Sequence, residues 1–193
     1  MKHLKEKKEL TTMVLLISGY WLVTCAIASA GERFQVTSRM WHEGGKIPQE
    51  CVFDRSECHG ANLSPDLRWS GAPANARSFA VTIFDLDAPK SGGWAHWILF
   101  NLPPSVSELA PGAGTPGNGR IPVEASQTVN DYGLRGYGGP CPPSGAEHRY
   151  VLTVYALKAD KLPADGATTP ARVLNEIKGD SLAIATITAK YGR

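Results

Sequence analysis

Beyond residue 33 the chain alternates apolar and polar positions in short runs rich in β-branched and aromatic side chains, the pattern of half-buried strands. Five such runs stand out: Phe34 to Ser38, Ser78 to Phe84, Ala95 to Leu102, Arg149 to Leu157 and Leu182 to Lys190. Turn signals separate them, among them Gly44-Gly45, Ala88-Pro89, Ser91-Gly92-Gly93 and Pro103-Pro104. The stretch from Ala110 to Gly145 is so dense in Gly and Pro that it reads as loop, and a long loop in a small domain usually carries function. One helix is predicted near the C-terminal end. Thr169 is placed to cap it, Pro170 suits its first position, Val173, Leu174 and Ile177 share a face, and Gly179 falls just past its end. Strands without intervening helices predict a mostly β fold, an antiparallel β-sandwich with one or two short helices, the late helix packing on one edge.

The first thirty residues have a different pattern. Lys2, Lys5, Lys7 and Lys8 precede an apolar stretch from Met13 to Ile27, and Ala28-Ser29-Ala30 offers a small-x-small cleavage site. Residues 1–30 therefore read as a signal peptide and residues 31–193 as one domain, periplasmic or secreted. The rivals are a retained anchor, since no charge lies between Glu9 and Glu32, and lipidation at Cys25. Cleavage also changes the charge. Four Lys and two Glu leave with the leader, so the twenty basic and eighteen acidic residues become sixteen of each. A neutral domain argues against nucleic acid as a partner, and no membrane span is expected after cleavage. Three cysteines remain, Cys51, Cys58 and Cys141, in a compartment where two of them should pair; the residues alone leave all three pairings open.

Candidate chemistry clusters around the strands. Asp85 and Asp87, at i and i+2, would lie side by side if the strand stayed regular through them. His96 and His148, drawn toward protonation by such carboxylates, would then donate to an oxyanion. The Gly138-Gly139 turn offers backbone amides as a nest, and Pro140, Pro142 and Pro143 would hold its rim. Alternation turns Arg149 away from His148 and Tyr150, so Arg149 is left out of the pocket. Each piece taken singly has an ordinary structural role: Asp87-Ala88-Pro89 as a turn, His96 between Trp94 and Trp97 as a bonded core histidine. The sequence has no Gly-x-Ser-x-Gly elbow, His-Glu-x-x-His pair or Cys/His cluster at ligand spacing. Accordingly, no catalytic residue, metal ligand or cofactor is expected, and the chain is read as a binder rather than an enzyme.

Taken jointly and in order, Asp85-Leu86-Asp87, His96, Gly139-Pro140-Cys141-Pro142-Pro143 and His148-Arg149-Tyr150 resemble the phosphatidylethanolamine-binding protein family, also called Raf kinase inhibitor-like, in its bacterial exported branch. The resemblance runs from about Phe34 to Tyr191. It implies a pocket for phosphate-like anions lined by Asp85, His96, Gly139, Pro142, Pro143 and His148, with Asp87 and Tyr150 at or near it. It also implies that Cys58 pairs with Cys141, leaving Cys51 as a buried free thiol. Asn62 to Pro65, Trp69 and Gln127 to Gly133 fit the same pattern as scaffold and loop anchors. Two departures stand out: Leu86 where the family usually has Pro, and Ala95 where it has an aromatic residue or His, both pointing to a wider pocket. The expected function is capture of a small anion or phosphorylated headgroup, with a protein partner regulated in turn. The alternatives are a kinase or protease inhibitor with a vestigial pocket and, further off, a hydrolase.

Overall fold

A computed structural model describes residues 33–193 except 56, 118 and 119; the proposed leader, residues 1–30, lies outside the described residues. Eight strands and one α-helix follow in chain order: β1 (Gln35–Thr37), β2 (Leu67–Ser70), β3 (Ser78–Asp85), β4 (Trp94–Leu102), β5 (Glu108–Leu109), β6 (Ser126–Gln127), β7 (Glu147–Leu157), α1 (Pro170–Asp180) and β8 (Ser181–Gly192). They form two antiparallel sheets, a small one ordered β1-β2-β5 and a large one ordered β6-β4-β3-β7-β8. The antiparallel sandwich expected from the alternating runs is the fold observed.

The main core fills the space between the sheets. Phe79, Val81 and Ile83 of β3, Leu152 and Val154 of β7 and Ile187 of β8 face Val36, Leu67, Trp69 and Leu109 of the small sheet. Trp69 and Phe79 close the layer edge to face, ring centroids 5.5 Å apart. Because side chains alternate, the in-between residues of the large sheet need cover of their own. That cover is α1. Val173 and Ile177, both fully buried, pack on Ala80, Ile98, Phe100, Tyr155 and Leu157. The helix thus lies on the outer face of the large sheet, not on an edge as expected. It also runs through Gly179 to Asp180, and Thr169 occupies the N-cap position without a side-chain bond. The described residues from Ala110 to Gly145 are loop apart from the two residues of β6.

Ile177→Ala should cost about 2–5 kcal/mol by leaving a cavity under the helix. Urea denaturation should show that loss as a lower midpoint.

Candidate functional site

The last inward-facing positions of the central strands run past the cover of the small sheet. Asp85 continues the inward row of Val81 and Ile83 and pairs in register with Trp94 on one side and Tyr150 on the other. His148 lies two residues before Tyr150 on the same face. Strict alternation would put His96 and Trp97 on opposite faces. A β-bulge prevents that. Ile83 pairs with Trp97 and Phe84 with Ala95, so His96 is an extra residue in β4, which lets His96 reach the inner side while Trp97 fills the core.

These residues line a cavity of about 210 Å³, with Ala88 and Pro89 on one side, Trp94 and Tyr132 behind, and Cys141, Pro142 and Pro143 along the rim. Of the residues read from the sequence, Asp85, His96, Pro142, Pro143 and His148 meet there. Gly139 and Tyr150 stand one layer behind. Tyr150 packs edge-on against His96, centroids 5.2 Å apart, and its buried hydroxyl lies beside Asp85. Burial, reinforced by the Asp85 charge, pushes that phenol well above its ordinary range.

Asp87 is placed elsewhere. The strand ends at Asp85, so the two carboxylates do not lie side by side; Asp87 turns outward and takes three bonds from Arg149, from its backbone N at 2.8 Å, Nε at 3.0 Å and Nη2 at 2.6 Å. These bonds lower the Asp87 carboxyl to about 2. Arg149 itself points away from the cavity, as alternation requires.

Asp85 is only 4% exposed and is held by three donors. The backbone N–H groups of Asp87 and Ala88 reach Oδ1 at 2.9 and 3.1 Å, and His148 Nδ1 donates to Oδ2 at 2.7 Å. The second ring nitrogen of His148 is thereby left for the cavity. His96 is fixed differently: its Nδ1 donates to the Gly138 carbonyl at 2.6 Å, so Nε2 carries a lone pair. Burial lowers this ring to about 4, outweighing the Gly138 bond and the Asp85 charge that favour protonation. The expectation of a cationic His96 is corrected: desolvation wins, and the ring is a neutral acceptor.

The expected amide nest is also corrected. Gly138 N donates to the His96 carbonyl at 2.9 Å and Gly139 N to Asn62 Oδ1 at 2.7 Å, so both amides are committed to holding the rim. Gly139 passes so close to the chain that an added Cβ would lie 2.2 Å from the Cys51 carbonyl and 2.5 Å from Phe53 N. Tyr132 adds a bond to the Gly139 carbonyl at 3.1 Å, and Arg193 Nε one to the Pro142 carbonyl at 2.7 Å. Cys58 and Cys141 form a disulfide, while Cys51 is free and buried, its thiol pushed up to about 12 by burial. Asn62 and Tyr132, which the sequence reading left in the scaffold, and Trp94, read there only as a neighbour of His96, are the further contributors. Among the described residues no group of three or more His, Cys, Asp or Glu is placed to hold a metal ion, and no helix is long and apolar enough to cross a membrane.

The family model described as phosphatidylethanolamine-binding protein matches residues 37–192. YbcL of Escherichia coli (strain K12) is 39% identical over 180 residues, covering 93% of this chain and 98% of that protein. YbhB of the same organism is 40% identical over 149 residues, 77% of this chain and 94% of its own. The crystal structure of E. coli YbcL superposes with a TM-score of 0.80 at 41% identity, covering 83% of this chain and 98% of that one.

His96 makes stability depend on pH in a defined window. Its folded value, about 4, lies below the 6.5 of the free side chain, so the unfolded state binds more protons between those values. The contribution is complete above pH 6.5 and is lost as pH falls toward 4, about 3 kcal/mol in all. Asp66, Asp87, Asp160 and Asp165, all held below the usual carboxylate value, act at lower pH still. Denaturation midpoints measured from pH 7 to 4 should fall for the natural chain and flatten in His96→Asn. Gly139→Ala should destabilise the fold by at least about 1–3 kcal/mol through backbone overlap and displace the rim, seen as shifted amide signals of Val52, Phe53 and Cys141.

Proposed function

The chain belongs to the phosphatidylethanolamine-binding protein family, and from that premise we propose that it is an exported, non-enzymatic binding protein whose cavity takes a small phosphorylated headgroup. The observation that carries this reading is the buried Asp85–His148 pair at the cavity wall. Asp85 holds the imidazole by Nδ1, which orients Nε2 toward a guest and stabilises the ring when Nε2 takes up a proton. A phosphate oxygen then accepts from that nitrogen in surroundings where a charge-assisted bond is strong. Prolines 142 and 143 and Trp94 exclude water from the same space without adding N–H groups at 142 and 143 that would need partners. Export is supported by the basic, apolar and small-residue order of the leader and by the Cys58–Cys141 bond, which suits an oxidising compartment. A protein partner would find an exposed apolar side chain in Leu86, 52% exposed and next in sequence to the lining residue Asp85.

Titration with phosphoethanolamine, followed by calorimetry and by the ring signals of both histidines, tests the reading. Binding should shift His96 and His148 together, and Asp85→Asn should weaken it by about tenfold or more. Unchanged ring signals at saturating phosphoethanolamine would remove the basis of the proposal.

A further inference from the structure

The cavity opposes its guest with proton acceptors as well as with a donor. Asp85 is a buried carboxylate whose Oδ1 already accepts two backbone N–H groups and whose Oδ2 accepts from His148 and keeps a second lone pair. His96 presents a bare Nε2, because its only ring proton is spent on the Gly138 carbonyl at 2.6 Å. Against them stands His148, whose Nδ1 proton is held by Asp85 Oδ2 and whose Nε2 donates when the ring carries its second proton. An oxyanion with no proton of its own would satisfy His148 yet set lone pairs against Asp85 and His96 in a site where water is scarce. A guest that both accepts and donates suits all three.

We propose that the cavity selects phosphate groups that carry a proton, as the monoanion of a phosphate or phosphomonoester, and rejects sulfate, with His96 Nε2 as the acceptor that reads the proton. The inference rests on the headgroup-binding reading above and deepens it. In the bound arrangement His148 donates to one phosphate oxygen while the P–OH donates to His96. A phosphomonoester sheds its second proton near pH 6, so the protonated form is plentiful just below neutrality. Sulfate, similar in size and shape, has no proton to give there. Groups from every side keep His96 an acceptor. Asp85 of β3, Tyr150 of β7, and Asp131 and Tyr132 of the loop after β6 face or influence the ring, yet the two carboxylates do not offset the burial that lowers it. Asp131 is itself engaged, accepting from Ala95 N at 2.7 Å and pairing with Lys90. Tyr132 spends its hydroxyl proton on the Gly139 carbonyl.

Calorimetry at pH 6 with inorganic phosphate, phosphoethanolamine and sulfate as separate probes tests the inference. Phosphate and phosphoethanolamine should each bind at least about tenfold more tightly than sulfate, the penalty of facing an acceptor with an acceptor. A preference between the two phosphates would separate a headgroup site from one for the free ion. His96→Asn keeps a donor for Gly138 and deletes Nε2; it should bring the phosphate-to-sulfate ratio close to one. In the natural protein, which avoids any folding loss in the variant, the ¹⁵N signal of His96 Nε2 should report an accepted proton with phosphate and not with sulfate. Sulfate binding within about twofold of phosphate, or a silent Nε2 signal at phosphate saturation, would overturn the selection while leaving the site itself standing. Failure of all three probes to bind would overturn both readings.

Discussion

A carboxylate nearly closed off from water is the constraint around which this site is arranged. Removing a charge from solvent costs several kcal/mol, and an unpaired Asp85 would unfold the end of the sheet or take up a proton. Two backbone N–H groups and one imidazole prevent that. The turn after β3 therefore has to fold back at Asp87 and Ala88, and β7 has to begin early enough to bring His148 alongside. Both conditions shape the cavity. The turn sets one wall and the start of β7 another, so the electrostatic need of one side chain and the shape of the binding space have a common origin.

The rim is held by a different principle. Pro142 and Pro143 are stiff but make few bonds of their own, and their position is imposed by neighbours far apart in sequence. Asn62 grips Gly139, Tyr132 grips the same residue from the other side, Arg193 holds Pro142, and Cys58 ties down Cys141. Phe53 stacks on Tyr132 with centroids 4.1 Å apart, joining two of these anchors into a small apolar cluster. A rim held in this way is ordered in advance of any contact.

Much of this was legible before the coordinates. The long strands β3, β4 and β7 are legible within about two residues because most positions on both faces are buried and their runs are rich in apolar, aromatic and β-branched side chains. The short strands β2, β5 and β6 were not, since two to four residues give no usable period. Asp85, His96 and His148 were identified from type and order. What sequence could not convey was orientation: a single extra residue at His96 changes which face it serves, and nothing in Trp-Ala-His-Trp announces a bulge. The charge state of His96 was misjudged for the same reason, because neighbouring carboxylates are visible in a sequence and burial is not. Spacing and the family resemblance both drew Asp87 toward the pocket, whereas Arg149 supplies a bidentate partner on the outside.

The order of the strands in the large sheet carries one more consequence. β3 lies between β4 and β7, and some sixty residues separate Asp85 from the histidine that neutralises its isolation. During synthesis Asp85 and His96 emerge long before His148, and β8, which shields β7, emerges last. A ribosome-bound fragment ending short of residue 147 has Asp85 without its imidazole partner. The Asp85–His148 pair is therefore a property of the finished polypeptide, formed at the close of translation and with the slow assembly expected of distant pairings.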